Sequence, residues 1–157
     1  MKILMDADCL IKLTKAGIKE KICLHFMITL PETVKKETVD AGKIKGCPDA
    51  ELIEKNIQER LVKVAPEKYS PLRKGDQSLI DMFKKGKFES IATDDAKFIR
   101  HLKSMEIPFI MPGLLPYLLV QKGVIGRAEA LRWNEKLSSF ISDDEYSTVK
   151  ILLEAKT

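Results

Sequence analysis

Two short apolar runs in this chain stop abruptly on acids: Ile3-Leu4-Met5 on Asp6, and Ile91-Ala92-Thr93 on Asp94-Asp95. Apolar runs this short, bounded by polar or turn residues, read as strands buried on both faces. Runs at 26–30, 61–64 and 108–111 join those at 2–5 and 90–93, with 61–64 expected at a sheet edge. Helical spacing fills the intervals at 8–13 (broken near Gly17), 18–23, 49–59 and 75–86. One helix opens at Pro31, where proline suits the first turn, and another starts at Asp94-Asp95. The proline-punctuated stretch 66–74 reads as a loop, and helices at 112–120, 126–137 and 143–155 close the chain. Strands alternating with helices imply right-handed βαβ units. The expected fold is therefore α/β: a three-layer α/β/α sandwich with a mostly parallel central sheet. The 157 residues suit one domain over 1–157, with 112–157 a helical extension packed on it.

Several classes are set aside early. No apolar run approaches the roughly 20 residues that cross a bilayer, and Asp6 arrives too soon for a signal-peptide core. A mature cytoplasmic chain with no membrane contact is expected. Cys9, Cys23 and Cys47 form no CxxC pair, which points to reduced structural thiols rather than a disulfide framework or zinc ribbon. His25 and His101 stand outside any ligand-spaced motif and read as packing or surface residues. The formal net charge of +4 coexists with 23 acids, a balance that permits a polyanionic partner without demanding one. Lys12, Lys15, Lys84, Lys85 and Arg100 are candidate phosphate contacts, and solvated helix faces explain the lysine runs equally well. Phe26, Phe83, Phe88, Phe98 and Phe109 fall at core spacing, and Trp133 and Tyr117 read as packing or dimer contacts.

In open parallel sheets ligands bind beyond the carboxyl ends of the strands, which directs attention to the acids there. Asp6 and Asp94 follow strands directly, and Asp is also a favoured helix N-cap. Helical phase separates their neighbours. Asp95 precedes Phe98, Ile99 and Leu102 by three, four and seven residues, so it projects on the apolar face. Asp76 stands in the same relation to Leu79, Ile80 and Phe83, and Glu37 follows Val34 by three. Asp6, Glu37, Asp76 and Asp95 are thus expected at one end of the sheet. Grouped carboxylates raise one another's pKa, a cost that a divalent cation removes. An all-oxygen donor set favours Mg²⁺ or Mn²⁺ over Zn²⁺, and such ions activate water against a phosphoryl group. The run Asp143-Asp144-Glu145 reads as an N-terminal cap of the last helix.

With those segments in order, the sequence resembles the PIN-domain ribonucleases. The likeness rests on the strand into Asp6 followed by Asp8-Cys9-Leu10-Ile11, and on Pro31-Glu32-Thr33-Val34-Lys35-Lys36-Glu37. It continues with Gly75-Asp76-Gln77-Ser78-Leu79-Ile80 and Ala92-Thr93-Asp94-Asp95-Ala96-Lys97-Phe98. It covers residues 1 to about 111; Asp76 stands where many members carry Glu. The resemblance implies Mg²⁺- or Mn²⁺-dependent cleavage of single-stranded RNA. Asp6, Glu37, Asp76 and Asp95 would be catalytic metal ligands, Asp94 would support or replace Asp95, and Asp8 and Thr93 would stand behind them. It further implies a homodimer and, as in the VapC group, a toxin with an antitoxin protein as partner. Two other readings accompany it. One is a non-catalytic RNA-binding or assembly module of the same fold. The other is a haloacid-dehalogenase-like phosphatase, whose first motif resembles Leu4-Met5-Asp6-Ala7-Asp8.

Overall fold

A computed structural model of the chain describes residues 1–67 and 74–155. Five strands, β1 (Lys2–Met5), β2 (Met27–Pro31), β3 (Val62–Ala65), β4 (Ser90–Ala92) and β5 (Phe109–Ile110), form one sheet in the order β3-β2-β1-β4-β5. Every pairing is parallel, with Leu4 opposite Thr29 on one side and Ile91 on the other. The expected strands are present, and 61–64 shifts by one residue onto the edge at β3. Ile3, Leu4 and Met5 of the central strand are fully buried, which explains why β1 is a continuous apolar run rather than an alternating one.

Helices α1 (Ala7–Lys15) and α2 (Lys19–His25) connect β1 to β2. The stop between them is Gly17, at φ 72°: its N–H bonds Thr14 O at 3.0 Å and Ile18 N–H bonds Leu13 O at 3.1 Å. That is the left-handed C-terminal closure that glycine makes without steric cost. Between β2 and β3 the single helix expected from Pro31 is in fact three pieces. Pro31 ends the strand, and α3 (Glu32–Lys35), a π-helical segment (Lys36–Asp40) and α4 (Ala41–Ile44) follow, then α5 (Pro48–Gln58). The expected loop over 66–74 falls largely on residues outside those described. α6 (Gly75–Lys84) then leads across to β4, and α7 (Ala96–Ser104) to β5.

The connections β1→β2→β3 run one way along the sheet, whereas β3→β4→β5 returns past β1 and runs the other way. Right-handed crossovers put the connections β1→β2 and β2→β3 on one face and β3→β4 and β4→β5 on the other. α3, after β2, nevertheless reaches α6, where the Ser78 hydroxyl donates to Thr33 Oγ1. α6 lies across β2, β1 and β4. The result is a three-layer α/β/α sandwich whose switch point lies between β1 and β4.

The remaining helices, α8 (Leu114–Gln121), α9 (Arg127–Leu137) and α10 (Asp143–Glu154), pack on one another, and α8 rests on α2. Leu115, Leu119, Trp133 and Leu137 belong to the same buried cluster as β1, so these helices share the sheet's core. Trp133 is core and not surface; Tyr117 packs on a small second cluster of Ala130, Val149 and Leu153. Cys9 and Cys23 are buried free thiols and Cys47 is exposed. Among the described residues no helix is long and apolar enough to cross a membrane.

Candidate metal centre at the switch point

Neighbouring strands whose connections leave in opposite directions open a crevice at their carboxyl ends. Asp6 and Thr93-Asp94-Asp95 follow the two strands that flank it. A cavity of about 200 Å³ occupies the crevice, lined by Asp6, Asp8, Glu37, Asp76 and Asp95 with Val34, Leu79 and Gly75 among its other walls. Five carboxylates from four separate chain segments thus face one space. None of the described residues lining it is basic. Among the described residues, no three of these acids converge tightly enough to form a closed metal-ligand set. The arrangement is an open acidic cavity, with donors of the hard-oxygen type that suits Mg²⁺ or Mn²⁺.

Asp6 and Asp95 each accept a backbone N–H from the helix they cap, whereas Glu37 is held by a residue of another element. Asp6 is 7% exposed and caps α1, its Oδ1 accepting the Cys9 N–H at 2.8 Å, while the Thr93 hydroxyl donates to Oδ2. Burial pushes the Asp6 carboxyl up to about 7; the bonds from Thr93 and Cys9 oppose the rise, and the charges of Asp94 and Asp8 add to it. Asp95 caps α7 through the Phe98 N–H at 2.7 Å and receives support from Thr93 Oγ1, which accepts the Asp95 N–H at 3.2 Å. Glu37 lies in the π-helical segment, where the widened turn carries it out of a regular helix's register and into reach of α6; such segments recur at functional sites. Its Oε1 accepts the Gly75 N–H at 3.1 Å. Burial raises the Glu37 carboxyl, the Gly75 bond lowers it, and Asp76 and Asp8 raise it further. Burial and Asp95 raise Asp76, against the pull of His101 and Lys74. Asp8 is an exposed member of the cavity wall.

Asp94 takes a different course. It does not line the cavity but bonds Lys12 Nζ at 2.6 Å, with the two side chains 8% and 25% exposed. Burial lowers the Lys12 ammonium pKa, but the bond and charge of Asp94 outweigh it and the net shift is upward. Lys15, Lys84, Lys85 and Arg100 are exposed.

One buried acid escaped the sequence reading. Ser142, not the following acid run, caps α10 by accepting the Glu145 N–H at 3.1 Å. Glu145 turns inward, 4% exposed, and accepts the Gly113 N–H at 2.8 Å at the start of α8. Burial pushes it up to about 6; the Gly113 bond opposes this, Asp94 adds to it and Lys12 relieves it. The signal was in the sequence: Glu145 precedes Val149 and Leu153 by four and eight residues, the same helical phase that marks Asp95.

Comparison of the chain with protein-family models, with curated proteins and with solved structures found no match.

Proposed function

We propose that the chain is a divalent-metal-dependent endoribonuclease that hydrolyses phosphodiester bonds of single-stranded RNA in the cytoplasm. The observation that carries this reading is the convergence of Asp6, Asp8, Glu37, Asp76 and Asp95 on one cavity at the switch point of a parallel sheet. Asp6 and Asp95 each cap their own helix, and capping alone does not require five acids to face one space. Burial has raised Asp6 to about 7 and neighbouring carboxylates add to the rise, a cost that a bound cation offsets. The motif resemblance to PIN-domain ribonucleases supports the same reading. It also carries the further proposals of a homodimer and of a toxin's role beside an antitoxin protein.

Asp6, Glu37, Asp76 and Asp95 would hold the cation, Mg²⁺ or Mn²⁺, which when bound supplies an activated water and neutralises phosphoryl charge. The chain's own residues prepare the centre. Thr93 and the Cys9 N–H fix Asp6, the Phe98 N–H fixes Asp95, and the Gly75 N–H fixes Glu37. An ionised carboxylate has about four acceptor positions, so each retains capacity for a cation after these bonds.

The test is cleavage of a mixed single-stranded RNA pool by the purified chain with Mg²⁺, Mn²⁺ or EDTA, alongside Asp6→Asn. Metal-dependent cleavage that the variant loses is the expected result. A fully active Asp6→Asn protein overturns the mechanism, and RNA binding that is indifferent to metal, without cleavage, replaces it with a binding module.

A further inference from the structure

A second cavity, of about 220 Å³, adjoins the acidic one and shares Glu37 as a wall. Its floor is aliphatic, formed by Ile11 of α1 and by Ala50 and Ile53 of α5. Lys15, the last residue of α1, and Lys45, in the turn after α4, stand exposed at its rim. Among the described residues neither lysine takes part in an ion pair, whereas Lys12 and Lys43, their neighbours in sequence, are bound to Asp94 and Glu54. The volume falls below the roughly 300 Å³ at which pockets begin to take a drug-sized molecule, so one planar base fills it better than a whole metabolite.

We propose that this cavity is a nucleotide subsite of the same cleft, taking the base beside the scissile phosphate of a single strand while Lys15 and Lys45 contact the adjoining backbone phosphates. It rests on the ribonuclease reading and adds the path of the strand, from the acids across Glu37 to the lysine rim. Single-strand binders pair a cationic groove with aromatic side chains on which bases stack. This cavity sets two lysines beside an aliphatic floor in place of an aromatic one, next to the acids. Docking on an aliphatic floor is tolerant of base identity, so the subsite positions the strand more than it selects a sequence. Asp49, also in the wall, lies in the first turn of α5, where the helix N-terminus favours its charge.

Cys47 provides a reporter, because it lines this cavity and is exposed. Cys9 and Cys23 are buried and their thiols are pushed up, Cys23 to about 12, so alkylation selects Cys47. The probe is a single-stranded RNA decamer added with Mn²⁺ to the full chain carrying Asp6→Asn, so that the strand survives. Saturating decamer is expected to slow N-ethylmaleimide modification of Cys47 several-fold. Lys15→Gln with Lys45→Gln should abolish that protection and lower the salt slope of binding by about 1.4, at about 0.7 per phosphate. The charge-matched pair Lys136→Gln and Lys150→Gln should do neither. Unprotected Cys47, or a salt slope unchanged by the Lys15 and Lys45 substitutions, overturns the subsite. In the Asp6-containing chain the two proposals separate. Cleavage with KM unchanged by the lysine substitutions leaves the nuclease standing and removes the subsite. Protection without any cleavage removes the nuclease and, with it, the scissile-phosphate assignment, leaving a single-strand binding cavity in its place.

Discussion

Gly75 gives its backbone N–H to Glu37, and its missing side chain is what admits the carboxylate: a Cβ there would lie 2.7 Å from Glu37 Oε2. Gly113 and Glu145 repeat the relationship, with a Cβ meeting Glu145 Oε1 at 3.0 Å. In both pairs an acid from another element seats on the first residues of a helix, where unpaired N–H groups and the helix dipole favour negative charge.

The Gly75 pair separates site geometry from stability. Alanine suits a helix start and reduces the freedom of the unfolded chain, a gain of about 0.4–1 kcal/mol where the backbone permits it. The obstacle is only the mobile end of Glu37, which swings away. Gly75→Ala should therefore leave the urea midpoint unchanged or raised while weakening Mn²⁺ binding and cleavage about 10–100-fold, the usual cost of disturbing a ligand's supports. A paired loss of stability and activity would mean that Glu37 holds the fold and not the cation.

The raised carboxyls set a pH dependence with a definite sign. A folded-state pKa above the unfolded value means that the native state binds the extra proton, so stability falls as pH rises between the two values. For Asp6 that window runs from 3.8 to about 7, and for Glu145 from 4.5 to about 6. At 1.36 kcal/mol per pH unit, Asp6 alone removes about 4 kcal/mol between pH 4 and pH 7 in metal-free protein. Urea unfolding in EDTA should show this decline. Asp6→Asn should remove most of it and be the more stable protein at pH 8, and Mn²⁺ should restore stability to the chain with Asp6. A flat profile in EDTA would show that Asp6 is not confined as described.

Much of this was legible in the sequence, for physical reasons that also mark where legibility ends. β1 and β4 are short enough and apolar enough to be nothing but buried strands, and parallel connections place their ends at a crevice. Helical phase brought Asp76 to the cavity wall because α6 is a regular helix, whereas Asp95 stands before α7 in extended backbone and reaches the wall as that helix's N-cap, not by its phase. Glu37 reached it by another route, since a π-helical segment has no composition signature and its phase cannot be counted from Val34 as in a regular helix. The opposite courses of Asp94 and Asp95 were likewise hidden. Both suit an N-cap, and only the tertiary position of Lys12 draws Asp94 away. Glu145 was readable by the phase rule but lay within an acid run whose charges alone explain a helix start.

Asp94 is nearly buried beside Asp6, and Lys12 is its ion-pair partner. Removing one member of such a pair costs more than the pair contributes, because the remaining charge is left in a poor solvent. Lys12 is a quarter exposed, so water offsets part of that cost. Lys12→Gln should destabilise the chain by about 1–3 kcal/mol at pH 8, and Asp94→Asn in the same protein should recover most of the loss. A double variant no more stable than Lys12→Gln would deny the coupling.

Lys19 presents the reverse case. Its side chain is 1% exposed, its Nζ has no hydrogen-bond partner, and the nearest carboxylate, Glu20, is 4.0 Å away. Burial lowers its pKa, with Glu20 and Cys23 opposing. The sign is opposite to that of a stabilising pair: charging the ammonium costs native stability at every pH below the lowered pKa and ceases to matter only in alkali. The methylene stem packs beside the core, and that part methionine keeps. Lys19→Met should therefore raise stability at pH 7 by about 1–3 kcal/mol, the range seen when a buried charge gives way to an apolar side chain. The gain should shrink as the pH approaches that of free lysine, because the wild-type ammonium then loses its proton. Urea midpoints for both proteins from pH 7 to pH 10 measure this directly. A loss of stability in Lys19→Met would show that the Glu20 contact outweighs the cost of burial.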